Sequence, residues 1–429
     1  MQDSKHVLII GGGFAGLSCA RKLANQPGLR VTLIDRQNHH LFQPLLYQVA
    51  TAALAAPDIA RSLRQLFSHA ENVTVFMDTI VSIDVEKRAA SSAAHEYSYD
   101  YLVVAAGAKT TFFGNDQWKD HTMGLKSLSD AYSIRRSVFS ALEQAELTAD
   151  PELRRRLMTI AIVGAGPTGV ELAGAYSDLA RRALLANYRR LDISQLRVML
   201  IQSGDRVLKS FDEDQSEYTK KRLEKLGVEI ILGHRVTGVE DKTLLFDKLV
   251  PIHAETIIWA AGVAASDLTK SLHCETDRGG RISPLADLSL PGHQEIFVAG
   301  DVTAHTDGVG KRVPGLAPAA TQMGEYIAKR IRQLSSAPGE HPCEPYIYKD
   351  KGMMAIIGKN AAIVKLGSLK LRGLIAWLAW LFIHLLFLIG FRNKLSVLLS
   401  WAWAYVKDKP GARVFSSVTK EQLDEPLET

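Results

Sequence analysis

Val7-Leu8-Ile9-Ile10-Gly11-Gly12-Gly13-Phe14-Ala15-Gly16 and Ile160-Ala161-Ile162-Val163-Gly164-Ala165-Gly166-Pro167-Thr168-Gly169 are two copies of one device on a single chain. Each is an apolar strand running into Gly-x-Gly-x-x-Gly and then into a helical pattern. The glycines permit a tight turn and close backbone approach, so a dinucleotide pyrophosphate can rest on the helix N-terminus. One such match is weak, because glycine-rich turns are common. Two, each set between a strand and a helix, are strong. One site holds one nucleotide cofactor; two hold a donor and an acceptor. The expected fold is α/β, with two Rossmann-like dinucleotide-binding domains.

After the first turn a second strand, Val31-Thr32-Leu33-Ile34, ends at Asp35. An acid about 20 residues beyond such a turn accepts hydrogen bonds from an adenosine ribose diol. Standing alone, Asp35 would read as a solvated strand end; the turn before it reverses those odds. Gly11, Gly13, Phe14, Ala15, Gly16, Asp35 and Arg36 are the candidate contacts here. Much later, Glu295-Ile296-Phe297-Val298-Ala299-Gly300-Asp301 ends a buried strand in Gly-Asp. It resembles the second flavin motif of flavoproteins with two dinucleotide domains, whose acid bonds the ribityl chain. That resemblance makes the first site an FAD site, with Asp301 as its second acid.

The second unit runs to Leu196-Arg197-Val198-Met199-Leu200-Ile201 and then meets Gln202 where the ribose acid should follow. A carboxylate there would accept from the 2′-OH of NADH and repel the 2′-phosphate of NADPH. An amide bonds a diol but repels nothing. The site therefore reads as NADH-binding with NADPH admitted, on Gly164, Gly166, Thr168, Gly169 and Gln202. Two further strands echo each other, Tyr99 to Gly107 and Glu255 to Gly262, both closing on Ala-Ala-Gly. Such small residues let the chain pass close to a cofactor and add Ala106, Gly107 and Gly262 to the candidates. The echo implies a nicotinamide domain inserted into the flavin domain. Expected limits are 1–120 and 265–338 for FAD, 121–264 for NAD(P)H and 339–429 for a C-terminal membrane-associating region.

At 429 residues the chain has room for two or three domains, and 47% hydrophobic with 23% charged residues is ordinary for a globular protein. Cys19, Cys274 and Cys343 are widely spaced, which argues against a disulfide framework, a metal site or a redox dithiol. The first strand begins near Val7, so no targeting segment is expected. The net charge of +5 is unevenly spread. Lys365, Lys370, Arg372, Arg392, Lys394, Lys407, Lys409 and Arg413 against Asp408 give +7, leaving about −2 for the rest. That basic region is also the most apolar one, which disfavours nucleic acid as a partner.

Leu374 to Phe391 is apolar except for His384, and Leu395 to Tyr405 follows with Trp401 and Trp403. The first run is of borderline length for a membrane span. Trp377, Trp380 and His384 fall on one helical face, and basic residues flank both ends. An amphipathic helical region lying in the interface of an anionic lipid surface is expected in preference to a span or a buried helix.

These features together resemble the type II NADH dehydrogenases, the non-pumping NADH:quinone oxidoreductases, from about Val7 to Phe415. The resemblance includes Asn38-His39-His40-Leu41-Phe42-Gln43-Pro44-Leu45-Leu46-Tyr47-Gln48-Val49-Ala50, which in the family packs beside the flavin and makes Pro44 a candidate contact. It includes Gly169-Val170-Glu171-Leu172-Ala173-Gly174, whose glutamate lies near flavin and nicotinamide, and Lys351 to Asn360. The family's Ala-Gln-x-x-x-Gln at the quinone edge appears as Ala317-Pro318-Ala319-Ala320-Thr321-Gln322, with proline for the first glutamine. The resemblance implies hydride transfer from NADH to FAD and two electrons onward to a membrane quinone. Glu171 and Gln322 become the catalytic candidates; Glu171 otherwise reads as a partner of its helix dipole. It further implies a homodimer and peripheral attachment, on the cytoplasmic face of the inner membrane if the source is bacterial. A sulfide:quinone oxidoreductase or a soluble-acceptor NAD(P)H reductase of the same fold is the alternative, the former needing cooperating cysteines at the flavin.

Overall fold

The computed structural model describes residues 4–184, 187–336 and 344–407. Cys343, Asp408, Lys409, Arg413 and the approach to Phe415 lie outside the described residues. The chain forms two compact units. The first comprises residues 1–41, 60–109 and 263–351; the second comprises 42–59, 110–262 and 352–429.

In the first unit a six-stranded sheet runs in the order Val73–Met77, Leu29–Asp35, Lys5–Ile10, Tyr101–Val104, His293–Val298, Ser289–Leu290. All neighbours are parallel except the last pair. Val7, Leu8 and Ile9 are fully buried, as continuous apolar strands of a parallel sheet are when both faces are covered. The second unit repeats the motif in four parallel strands, Val228–Leu232, Arg197–Gln202, Thr159–Val163 and Thr256–Trp259. The turn-bearing strand has the acid-position strand on one side and the Ala-Ala-Gly strand on the other in both sheets. The duplication read from the echo is a duplication of topology.

The Ala-Ala-Gly ends pack against the glycine turns. Ala105 N–H donates to Ile10 O at 2.8 Å, and Ala260 N–H donates to Val163 O at 2.7 Å. A Cβ on Gly11 would lie 2.2 Å from the Ala105 carbonyl oxygen, and one on Gly164 would lie 2.6 Å from Ala260 and Ala261 main-chain atoms. It is the main chain of the strand end that presses on the turn, which is why positions 11 and 164 hold glycine.

The units divide the chain differently from the four-part expectation. Residues 42–59 and everything described from 352 onward belong with the second sheet. The physical reason is close packing of strand Met353–Gly358 on helix Pro167–Leu179. A Cβ on Gly174 would lie 1.8 Å from the Ile357 carbonyl oxygen, and Asp178 accepts Lys359 N–H at 2.8 Å.

The apolar C-terminal run is two helices, Leu374–Phe387 and Phe391–Lys407. The first has 14 residues and is about 21 Å long, short of a hydrocarbon core of about 30 Å. Among the described residues no helix is long and apolar enough to cross a membrane. The face read as interfacial needs correction. Trp380 is fully buried and His384 nearly so, the imidazole stacked on the indole at 3.9 Å and hydrogen-bonded to the Trp380 carbonyl oxygen. Trp377 packs on Tyr405. The outward stripe is instead Leu374, Leu378, Phe382 and Leu386, continued by Phe391, Leu395, Leu399, Trp403 and Val406. Trp380 and His384 go inside, where their flat faces stack, while Trp403 and the hydrocarbons of the stripe are left outside.

The close contact at Gly174 gives a direct expectation. Gly174→Ala forces the strand off the helix and costs about 2 kcal/mol, an overpacking penalty. A thermal melt should show a fall of roughly 4–8 °C; an unchanged melting temperature would mean the two elements separate freely.

Candidate functional site

Gly11 takes φ +105° and Gly164 φ +106°, a left-handed region closed to other residues at both turns. Gly11 N–H is bonded to Ile34 O and Gly164 N–H to Ile201 O, each at 2.7 Å. Gly16 and Gly169 sit over the turn carbonyls, where a Cβ would come within 1.8 and 1.9 Å of oxygen. The middle glycines differ: nothing lies within 4 Å of a Cβ on Gly13 or Gly166. Two of the three glycines therefore shape the turn, and the middle one leaves open space over the helix N-terminus. A pyrophosphate fits such a cradle. Thr168 is exposed at the start of the second helix, and Phe14 and Ala15 begin the first.

Asp35 grips the first turn. Its carboxylate accepts Gly12 N–H at 2.6 Å and Gln37 N–H at 2.7 Å, one bond per oxygen, leaving further lone pairs for a ribose diol. Arg36 beside it is exposed. Gln202 reproduces the grip in the second turn, its Oε1 accepting Ala165 N–H at 3.0 Å. Only the carbonyl end of an amide accepts, so the Nε2 donor is left for other partners. The residue read as a lost acid is the acid's structural equivalent.

His40 completes the first turn and was not singled out by sequence reasoning, although the motif quoted for the family contains it. Buried to 2% exposure, it places Nδ1 at 2.9 Å from the Gly12 carbonyl oxygen, with Phe14 edge-on. Burial lowers it to about 4, so it is neutral at physiological pH. Nδ1 therefore carries the proton and donates. Gly12 is held by its N–H and its carbonyl at once.

Asp301 follows Gly300, at φ +75°, and its carboxylate takes no hydrogen bond among the described residues. Helix Ala317–Ser336 lies against helix Phe14–Leu23 through Gly324, where a Cβ would reach within 2.1 Å of Ala15 O. Pro318 sits in its first turn, where no helical N–H is forfeited. Gln322 donates to Lys349 O and accepts Lys349 N–H, both at 3.0 Å, so its amide braces the neighbouring chain. Ala106 and Gly107 are half-buried, the latter at φ +68°.

In the second unit Glu171 is the outstanding group. Burial pushes its carboxyl up to about 8, the Ile356 N–H offsetting part of the shift. A carboxyl so placed is protonated at pH 7, unlike a solvated dipole partner. Tyr47, beside it, is held protonated by burial and then by the Glu171 charge. Pro44 lies in the short helix Gln43–Leu45 of the same unit, and Gly262 accepts Thr111 N–H. Tyr47, Gln48 and Trp401 were missed as a set; nothing in the spacing of 47, 48 and 401 announces a contact.

Cys19 is fully buried, its thiol pushed far up by burial, and Cys274 is half-buried and raised for the same reason. Neither is a ready nucleophile.

The open space at Gly13 separates folding from binding. Gly13→Val is expected to fold, with its melting temperature measured without cofactor unchanged, yet to purify colourless. Full yellow absorbance in that variant would remove the pyrophosphate from this turn.

A family model described as pyridine nucleotide-disulphide oxidoreductase matches residues 5–324. The chain is 40% identical to the type II NADH:quinone oxidoreductase of Mycobacterium tuberculosis, covering 98% of this chain and 93% of that protein. It is 30% identical to the type II NADH:quinone oxidoreductase of Haemophilus influenzae, over 85% and 87% of the two. The structure matches that of NDH2 from Plasmodium falciparum in complex with NADH at a TM-score of 0.88 and 18% identity, covering 96% and 100%. The sulfide:quinone oxidoreductase of Aquifex aeolicus matches at 0.69 and 18%, covering 94% and 95%. Those two structures share the fold, whereas identity sustained over almost the whole chain decides the family. The chain belongs to the type II NADH:quinone oxidoreductases and is an FAD enzyme that carries electrons from NADH to a quinone.

Proposed function

We propose that the first turn, with Asp35, Arg36 and Asp301, holds the FAD, and that the second, with Gln202, holds the nicotinamide dinucleotide. The observation that carries this is the matched pair of grips, Asp35 on Gly12 and Gln202 on Ala165. Bound there, the flavin supplies hydride acceptance and two-electron delivery. The chain's own residues supply position and protons. Glu171, neutral at pH 7, holds a proton that a quinone needs on reduction. The sulfide reading lacks support, since neither described cysteine is a ready nucleophile.

Gln202 governs the choice of donor. Its Nε2 presents a hydrogen-bond donor where relatives with an acid present negative charge, so NADPH is accepted alongside NADH. Gln202→Glu restores the repulsion while an oxygen still accepts Ala165 N–H. The kcat/KM for NADPH should fall about tenfold or more relative to that for NADH; equal effects on both would take Gln202 away from the ribose.

The outward hydrocarbon stripe of the two C-terminal helices is a continuous exposed apolar surface of the kind that seats on a membrane. The basic contribution is smaller than the +7 of the sequence. Lys365 is paired with Asp212 at 2.5 Å, and Lys370 with Asp212 at 2.6 Å. We assign attachment to a bilayer surface mainly to hydrocarbon burial, with Arg392 and Lys394 adding attraction to anionic lipid. A homodimer is supported by family resemblance alone. Phe382 and Phe391 are 65% and 82% exposed. The double variant Phe382→Ser, Phe391→Ser should leave sedimenting vesicles while keeping its flavin, and salt alone should release little of the parent. Full release by salt would make the contact electrostatic.

A further inference from the structure

Phe113 takes φ +55°, a left-handed backbone that is strained for an aromatic residue. Leu208 and Leu288 share that region but are fully buried, so packing offsets the strain. Phe113 is 66% exposed and gains little from packing. The turn that holds it lies within the second unit. Phe112, one residue earlier, is buried with its ring 5.6 Å from that of Trp259. Phe113 N–H donates to Thr111 Oγ1 at 3.2 Å, and Asn115 N–H donates to Phe112 O at 3.1 Å. Thr111 is tied in turn to the strand Thr256–Trp259 and its end. Its carbonyl accepts Trp259 Nε1–H at 2.9 Å, and its N–H donates to Gly262 O at 3.3 Å. Gly114 at φ +92° turns the chain back. Phe112 is therefore the anchor, and Phe113 is held out over Gly262. A Cβ on Gly262 would lie 2.6 Å from Phe113 Cζ and 3.2 Å from Cε1, so the ring edge rests on that glycine.

Strand order gives this place its meaning. In the second sheet the turn-bearing strand Thr159–Val163 has the strand ending at Gln202 on one side and Thr256–Trp259, which leads to Gly262, on the other. Ligands of such sheets lie outside the carboxyl ends of the strands, across the point where the order reverses. Ala260 and Ala261 main-chain atoms press on Gly164, so Gly262 stands one residue beyond the wall of the turn. With the pyrophosphate on the Gly164 turn and the adenosine ribose at Gln202, the other half of the dinucleotide extends toward Gly262 and Phe113.

We propose that the Phe113 ring packs against the nicotinamide ring of the bound donor and sets how tightly that end is held. The inference rests on reading the second turn as the nicotinamide dinucleotide site, and it adds a residue outside both glycine motifs. The flat heteroaromatic ring of the donor covers the exposed phenyl, in the offset or edgewise contact that aromatic pairs prefer. Glycine at 262 leaves the phenyl the room to lie there; a side chain would displace it.

The test compares NADH with ADP-ribose, which carries the adenosine and the pyrophosphate but no nicotinamide, on the full-length protein in detergent. The Kd for NADH is read from the concentration dependence of flavin reduction, and that for ADP-ribose from its competition with NADH. Phe113→Ala should raise the Kd for NADH about five- to tenfold, the scale of one lost aromatic contact, and leave that for ADP-ribose within about twofold. Phe113→Tyr keeps the ring and should stay near the parent. Phe113→Gly relieves the backbone strain; it should melt no lower than Phe113→Ala and show the same selective loss. An unmoved Kd for NADH, or equal losses for the two ligands, overturns the proposal. Gly166→Val checks the underlying reading, since its side chain enters the open space over the helix N-terminus and should weaken both ligands. If it weakens neither, the second turn is not the dinucleotide site. If it weakens both while Phe113→Ala weakens neither, the role of the ring alone is lost.

Discussion

The absence of one atom, a Cβ at Gly11 and again at Gly164, is the constraint on which both sheets depend. At each turn the chain must reverse against the main chain of the neighbouring strand end, at distances where a methyl group would sit inside a carbonyl oxygen. That closeness brings the Ala-Ala-Gly strand alongside and allows the acid-position strand to reach across. Asp35 and Gln202 then close the turn from above, and His40 closes the first from the far side. Cofactor geometry is in this sense a by-product of chain packing. The turn is already set by protein hydrogen bonds, and the middle glycine only has to stay out of the way.

Much of this was legible before any coordinates, because glycine turns, strand ends and buried apolar runs are local and periodic. Gly11, Gly13, Gly16, Asp35 and their counterparts fall where the spacing placed them. What escaped was tertiary. The close approach of the Ala105 and Ala260 main chains to the glycine turns is not written in the spacing. The brace that Gln322 gives Lys349 through both ends of its amide is likewise invisible in the sequence. Trp380 and His384 shared a helical face with Trp377, and periodicity says which residues share a face but not which way it looks. The inward direction follows from stacking and from Tyr47, whose ring lies 6.5 Å from that of Trp380.

Charge was similarly overcounted by sequence. Lys365 and Lys370 belong to the basic C-terminal run on paper, yet each is spent on Asp212, which their hydrogen bonds hold down at about 2. Ion pairs formed within a unit leave nothing for a lipid surface. The hydrocarbon stripe is the larger resource, and it exists because two short helices replace one long one. A break near Leu388 separates the two.

Glu171 also bears on how the fold tolerates alkali. Its carboxyl titrates near 8 in the folded chain against an ordinary value of 4.5. The folded protein therefore holds this proton more tightly than the unfolded chain does. By linkage the associated stability is whole below about 4.5, declines as pH rises from there, and is lost on passing 8. Most carboxylates in folded proteins act in the opposite sense, favouring the native state as acid is withdrawn. In the second unit Glu171, Tyr47 and Tyr176 all have raised values, so their deprotonation in base works against the folded state.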